Sequence, residues 1–308
     1  TLPPDSEKSA ALFAESIAAL RRSLDKLTFQ ADRQKLYALA GTPPPDAISV
    51  MISLDGTPPQ PQANIPVRFL VGDKTEIVPT DAKGFARLPM PPLDTKQDGI
   101  TVKATIELTS LLGTNSVSPF LSSVITRLVI PETRVALRVF DASERENYLL
   151  AREFEGRKVL VCCAYEADGQ MKEWTKMHDE IMNFAKAQGA IIKDTRQDLK
   201  EVAAWTTSPD GQWNVAGAEP GDLVIAVVAG GKLNRRKNEK SPTGEDVQFA
   251  GEIRAAAQFD GKPHFADRFA GMGGWNPMGE QMCMDVLSLN CMKRWKPTYV
   301  KGLGSSEK

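Results

Sequence analysis

Hydrophobic positions along this chain change their period twice. Phe13, Ile17, Leu20, Leu24 and Leu27 recur at spacings of three and four. One stripe at that spacing predicts a helix over residues 6–38, packed on its own protein or serving as an oligomer contact or a spacer. Asp5 or Ser6 can cap its start, and Gly41 followed by Pro43, Pro44 and Pro45 stops it.

Between residues 46 and 140 the period drops to two. Ile48, Val50 and Ile52 alternate with Ser49 and Met51; Val67, Phe69 and Val71 alternate with Arg68 and Leu70. Ile100, Val102, Ala104 and Ile106 follow, and Val135, Leu137 and Val139 close the set. Turn residues every 8–15 positions make this an antiparallel β-sandwich. The turn Asp81-Ala-Lys-Gly84 places a glycine where a positive φ is needed.

From residue 157 short apolar runs alternate with helical patterns. Lys158-Val-Leu-Val-Cys-Cys-Ala, Ala190-Ile-Ile and Asp222-Leu-Val-Ile-Ala-Val-Val-Ala predict strands. Val247–Phe259 and His264–Gly271 complete a meander. Helices are expected at Trp174–Gln188, Asp198–Trp205 and Met278–Trp295. The last carries Met282, Val286 and Leu289 on one face, with Cys283, Leu287 and Cys291 beside it. The order β-α-β-α-β-β-β-α indicates a mixed sheet covered by helices.

Composition sharpens the division. The 308 residues suggest two or three domains. Fifteen of 21 prolines precede residue 151, whereas all five Trp, four Cys and both His follow it. The fold class expected is therefore α+β multidomain: an N-terminal amphipathic helix (1–42), a β-sandwich (43–142) and a mixed α/β sheet domain (155–302). No run of about 18 apolar residues occurs, so no transmembrane helix is expected. A net charge of −1 argues against a nucleic-acid partner.

Two resemblances add to this. Asn64-Ile-Pro-Val-Arg-Phe with Thr80-Asp-Ala-Lys-Gly-Phe-Ala resembles bacterial Ig-like, invasin-type domains over about 90 residues. That implies an envelope or extracellular setting and a spacer or adhesive role. Gly221-Asp-Leu-Val-Ile-Ala-Val-Val, Phe259-Asp-Gly-Lys-Pro-His-Phe and Gly271-Met-Gly-Gly-Trp are similar to stretches of the periplasmic α/β domain of CsgG-like, penicillin-binding-protein-activator and flagellar-assembly lipoproteins. The similarity covers about 140 residues. Amphipathic strand pairs of membrane-spanning length do not stand out, so pore formation is not expected. The resemblances imply a periplasmic or cell-surface protein with its leader removed ahead of Thr1. Peripheral or lipid-anchored membrane association stays open.

Candidate chemistry is sparse. Cys162 and Cys163 are adjacent on a predicted strand and face opposite sides. Cys283 and Cys291 lie eight apart on a predicted helix, about 12 Å, too far to bridge each other. One strand Cys could bridge one helix Cys in an oxidising compartment, or all four could be small buried hydrophobes. No C-x-x-C or Cys–His spacing supports a metal, and no cofactor is expected. Gly230-Gly231 and Gly271-Met-Gly-Gly274 lack the G-x-G-x-x-G pattern, so tight turns are the better reading than a phosphate cradle. Cys163, His178 and His264 would carry any thiol chemistry. The run Lys232-Leu-Asn-Arg-Arg-Lys-Asn-Glu-Lys240 is expected as a hairpin tip. Lys232, Arg235, Arg236 and Lys237 on it, with Trp275, are candidates for partner binding. A protein of the cell envelope, self-association, an anionic surface and a glycan are the partners considered. The expected function is a non-catalytic structural subunit or assembly factor, against a Cys/His enzyme or a glycan-binding module.

Overall fold

The structure is a computed structural model that describes residues 6–111, 125, 127–194 and 197–305. The chain divides into two compact units, Thr1–Tyr148 and Leu149–Lys308.

The first unit opens with helix α1 (Ser6–Leu24). Ile17, Leu20 and Leu24 pack from it onto the unit's core. Asp5 and the Ser6 and Phe13 side chains lie outside the described ones, and Ser6 is the first residue of the helix. The helix does not run to residue 38. Its last turn ends with the Asp25 amide on Arg21 O, and two strands follow: β1 (Leu27–Ala31) and β2 (Lys35–Leu39). Leu27 stands three residues after Leu24, so it fits the helical stripe by position alone. From there Leu27, Phe29 and Ala31 alternate with Thr28 and Gln30, and cross-strand pairing decides the matter.

The remaining strands are β3 (Ile48–Leu54), β4 (Gln60–Pro61), β5 (Pro66–Val71), β6 (Lys74–Pro79), β7 (Phe85–Leu88), β8 (Gln97–Ile106) and β9 (Glu132–Phe140), with a single-turn helix α2 (Leu108–Leu111) after β8. One sheet joins β1, β3, β4 and β7; the other runs β2-β9-β8-β5-β6. Val50, Ile52, Ala86 and Leu88 from the first sheet and Val67, Phe69, Val102 and Leu137 from the second share one buried core. Pairing is antiparallel throughout, except that β2 runs parallel to β9, a departure from the all-antiparallel expectation. The expected turn forms: Asp81 Oδ1 accepts from the Lys83 and Phe85 amides at 2.8 and 3.0 Å, and Gly84 adopts φ +79°. Thr80 Oγ1 accepts from the Ile65 amide at 2.9 Å and donates to Gln62 O at 2.6 Å, tying the two halves of the motif together.

The second unit begins within α3 (Arg145–Phe154) and continues with β10 (Lys158–Ala167), β11 (Gln170–Glu173), α4 (Thr175–Ala187), β12 (Ile191–Lys193), α5 (Leu199–Thr207), β13 (Leu223–Lys237), β14 (Glu245–Phe259), β15 (Lys262–Met272) and α6 (Gly279–Ser305). The sheet order is β11-β10-β13-β14-β15, with β12 also on β10. β10, β12 and β13 are parallel, and β13-β14-β15 is an antiparallel meander. The seven residues Leu223–Ala229 are all buried, as a central strand covered on both faces requires. On one face Cys162, Val224 and Val228 pack under Val202 and Trp205 of α5. On the other lie α4 and α6.

Two expectations about the meander change. Strands β13 and β14 are each 15 residues long, longer than the runs expected at 222–229 and 247–259. The basic run is not a loop either: Lys232–Lys237 is the distal half of β13, and the turn lies at 238–244. The long arm crosses a row of three facing glycines, Gly231, Gly251 and Gly271, one per strand. A Cβ on Gly251 would strike Gly230 O and the Gly231 Cα, and one on Gly271 would meet the Ile253 side chain at 2.7 Å. Backbones approach there closer than any side chain allows. Gly251→Ala is expected to cost about 1–3 kcal/mol in a thermal-denaturation comparison. Gly274→Ala, with nothing within 4 Å, is expected to stay within about 0.5 kcal/mol.

Candidate interaction surface

Helix α6 organises the second unit. Asn276 Oδ1 accepts from the Met278 amide at 2.8 Å just ahead of it. The β13–β14 turn is clipped to the same loop, with Ser241 Oγ and Thr243 Oγ1 donating to Pro277 O at 2.5 and 3.0 Å. Its two apolar stripes have opposite fates. Cys283, Met284, Leu287, Cys291, Trp295 and Tyr299 are buried against the sheet and α4. Met278, Met282, Val286 and Leu289 stand in solvent, 53, 42, 40 and 46% exposed. Met272 at the end of β15, 74% exposed, and Trp275 extend the same kind of surface. Isolated exposed apolar residues are ordinary, but three at helical spacing on one helix, with Met278 in the turn just ahead of it, are a patch.

The basic candidates are largely spent inside the unit. Arg235 is paired with Glu245 at 2.6 Å, Glu280 at 2.7 Å and Asp168 at 3.4 Å. Arg236 binds Asp246 at 2.9 Å and lies 4.4 Å over the Trp275 ring. Lys237 meets Glu239 at 3.1 Å on an open surface, and Lys232 is exposed. Glu280, at the start of α6, also accepts from Tyr165 Oη at 2.9 Å and Lys172 Nζ at 2.7 Å. Burial would raise its carboxyl, but these donors outweigh that and hold it below the usual carboxylate range. These residues stitch the arm to the helix; they do not form a bare cationic patch.

The cysteines are four buried free thiols, the second of the two arrangements left open by their spacing. Cys162 faces α5, on the side of the sheet away from α6. Cys163 lies against the backbone of Val227 in mid-sheet, whereas Cys283 sits by Phe249 and Gly273. Burial pushes Cys162 and Cys291 up to about 12 and Cys163 well above its ordinary value. A thiolate nucleophile needs the reverse shift. His264 is held by Glu153 at 2.9 Å, and His178 lies 3.7 Å from Asp179.

Sequence reasoning missed one buried constellation. Glu153, at the end of α3, accepts from His264 Nε2 on β15 and Tyr299 Oη on α6, and pairs with Arg157 at 3.1 Å. Phe154, Phe265 and Trp295 ring Tyr299 at 6.0, 4.9 and 4.9 Å. The four polar partners are spread over 146 positions, so no local motif announces them. Burial would raise Glu153, but the hydrogen bond and charge of His264 and the charge of Arg157 hold it below the ordinary value. A cavity of about 290 Å³ lies in the first unit, lined by Asp32, Arg33, Leu36, Asp46, Phe85 and Arg87 among others. Its arginines are matched by carboxylates: Arg33 by Asp46 at 2.9 Å and Arg87 by Asp81. No group of His, Cys, Asp and Glu that could hold a metal occurs among the described residues, and no described helix is long and apolar enough to cross a membrane.

Both the thiols and the Glu153 cluster can be probed in solution. A native-state titration with a thiol-alkylating reagent is expected to label none of the four cysteines rapidly, and all four in denaturant; rapid reaction of Cys163 would contradict the burial described. A depressed Glu153 contributes stability that is complete above the ordinary carboxylate value, about 4.3, and lost as pH falls through its folded value. Glu153→Gln is therefore expected to cost about 2–4 kcal/mol at neutral pH, with the gap to the parent narrowing below pH of about 4 in chemical denaturation.

No protein-family model and no curated protein matches this sequence.

Proposed function

We propose that this chain is a non-catalytic component of the bacterial cell envelope, in the periplasm or at the cell surface. It works through protein–protein contacts, as a structural subunit or an assembly factor. The observation that carries the reading is the exposed stripe of α6, Met282, Val286 and Leu289, with Met278 exposed just ahead of it. A patch of this kind on a folded unit marks a contact. The envelope setting is supported by the Ig-like motif, whose Thr80 and Asp81 build the turn of the first unit, and by the CsgG-like order of strands in the second. The alternatives draw less support. The thiols are shifted away from reactivity, and the basic run is matched by Asp168, Glu245, Asp246 and Glu280.

Because the stripe is solvent-exposed, Met282→Asp is expected to change the stability of the isolated chain by no more than about 0.5 kcal/mol. A core position would lose several. The setting is checked by osmotic-shock and membrane fractionation of the native cells. The chain is expected in the periplasmic or envelope fraction, and recovery in the cytosol would overturn that part of the reading.

A further inference from the structure

We propose that the exposed stripe of α6 is covered by a second copy of this chain, the two α6 helices packing antiparallel about a two-fold axis near Leu289. The inference rests on the contact reading above and names the partner for that surface.

The pattern of the helix carries it. Met282, Val286 and Leu289 on α6 are spaced four and three, with the exposed Met278 in the turn just ahead, and the same line continues through Lys293 and Lys296. That is a coiled-coil seam whose first half is apolar and whose second half is cationic. A parallel second copy would set Lys293 against Lys293. An antiparallel one centred on Leu289 sets Lys293 of each copy level with Asp285 of the other, and opposes the helix dipoles. Leu289 then meets its own counterpart, Val286 meets the half-buried Met292, and Met282 lies along the aliphatic stem of the half-buried Lys296, whose ammonium is turned to the Phe184 ring.

The neighbouring helix has the same polarity. Trp174 Nε1 donates to Met284 O at 3.1 Å, and the Phe184 ring lies 5.9 Å from Trp295, so α4 runs beside α6 in the same direction. Asp179 is near its start and Lys186 near its end. Acidic and basic ends therefore face each other on both helices in an antiparallel pair. The other charges nearby are already engaged: Glu180 by Lys176 at 2.9 Å, Glu280 by Lys172 and Arg235, Arg294 over Phe269 and Lys296 over Phe184. A chain of net charge −1 does not repel its copy at long range. The apolar stripe, Met282 to Leu289, spans only about 11 Å of helix, so the interface falls at the small end and the pair is weak and concentration-dependent.

Sedimentation of the purified chain over a wide concentration range tests this. The mass is expected to move from 33.6 kDa toward twice that value. Val286→Asp is expected to stay monomeric throughout. Asp285→Lys and Lys293→Asp are each expected to weaken association about tenfold, because two symmetry-related pairs are reversed together, and the double variant to restore it. Single reversals without effect, or a double variant weaker than either, would overturn the antiparallel register. A photo-crosslinking residue at position 289 in native cells separates the two levels of the argument. A product of twice the chain's mass supports self-pairing. A product with a different protein, with the purified chain monomeric, overturns self-pairing and keeps the contact reading. A monomer with no crosslink overturns both.

Discussion

Everything distinctive in the second unit depends on how α6 divides its two apolar stripes. Burial of Cys283, Met284, Leu287, Cys291, Trp295 and Tyr299 fixes the helix on the sheet. These side chains supply the aromatic stack that reaches from Trp295 through Tyr299 to Phe154 on α3. A helix has one circumference, and with one side committed to the core, the Met282 line must face outward. The patch is therefore a consequence of the packing and not a defect of it. The polar clamps act in the same direction. Glu153 binds α3, β15 and α6 together, and Glu280 ties the start of α6 to β10, β11 and the long arm.

The arm explains why the basic run has a different character from the one its composition suggests. Lys232 to Lys237 lie on a strand whose partner carries Glu245 and Asp246, at the register positions facing Lys237 and Arg236. Opposite charges directly across a strand pair neutralise each other locally. The arm is held to the loop that enters α6 by the Val247–Asn276 bridge and by Ser241 and Thr243 on Pro277 O. Trp275 in that loop is then roofed by Arg236. The cysteines obey the same logic of depth. A strand buried on both faces has no position at which a thiol meets water, and so burial decides their chemistry.

Much of the architecture was legible in the sequence, because period-two alternation and long apolar runs report burial directly. The strands around Val50, Val67, Val102 and Leu137 are of this kind, as is the Gly84 turn. The end of α1 was not legible, since Leu27 satisfies the helical and the strand period at once and only pairing with β3 separates them. Nor was the outward stripe of α6. Met282-Val286-Leu289 and Cys283-Leu287-Cys291 are equally apolar, and which one the sheet takes depends on the long-range position of Phe249, Trp174 and Phe184. The Glu153 cluster is long-range as well, drawn from the ends of three elements.

The central claim is that the Met282 line is covered when the protein is at work. Oxidative footprinting of methionines tests it most directly, comparing the native envelope with the dilute purified chain. Met177 and Met284 are buried in the fold and serve as internal controls. The account predicts that Met278 and Met282 oxidise readily in the dilute chain and are protected in the native setting, with the controls slow in both. Equal oxidation of Met278 and Met282 in the two settings would contradict it.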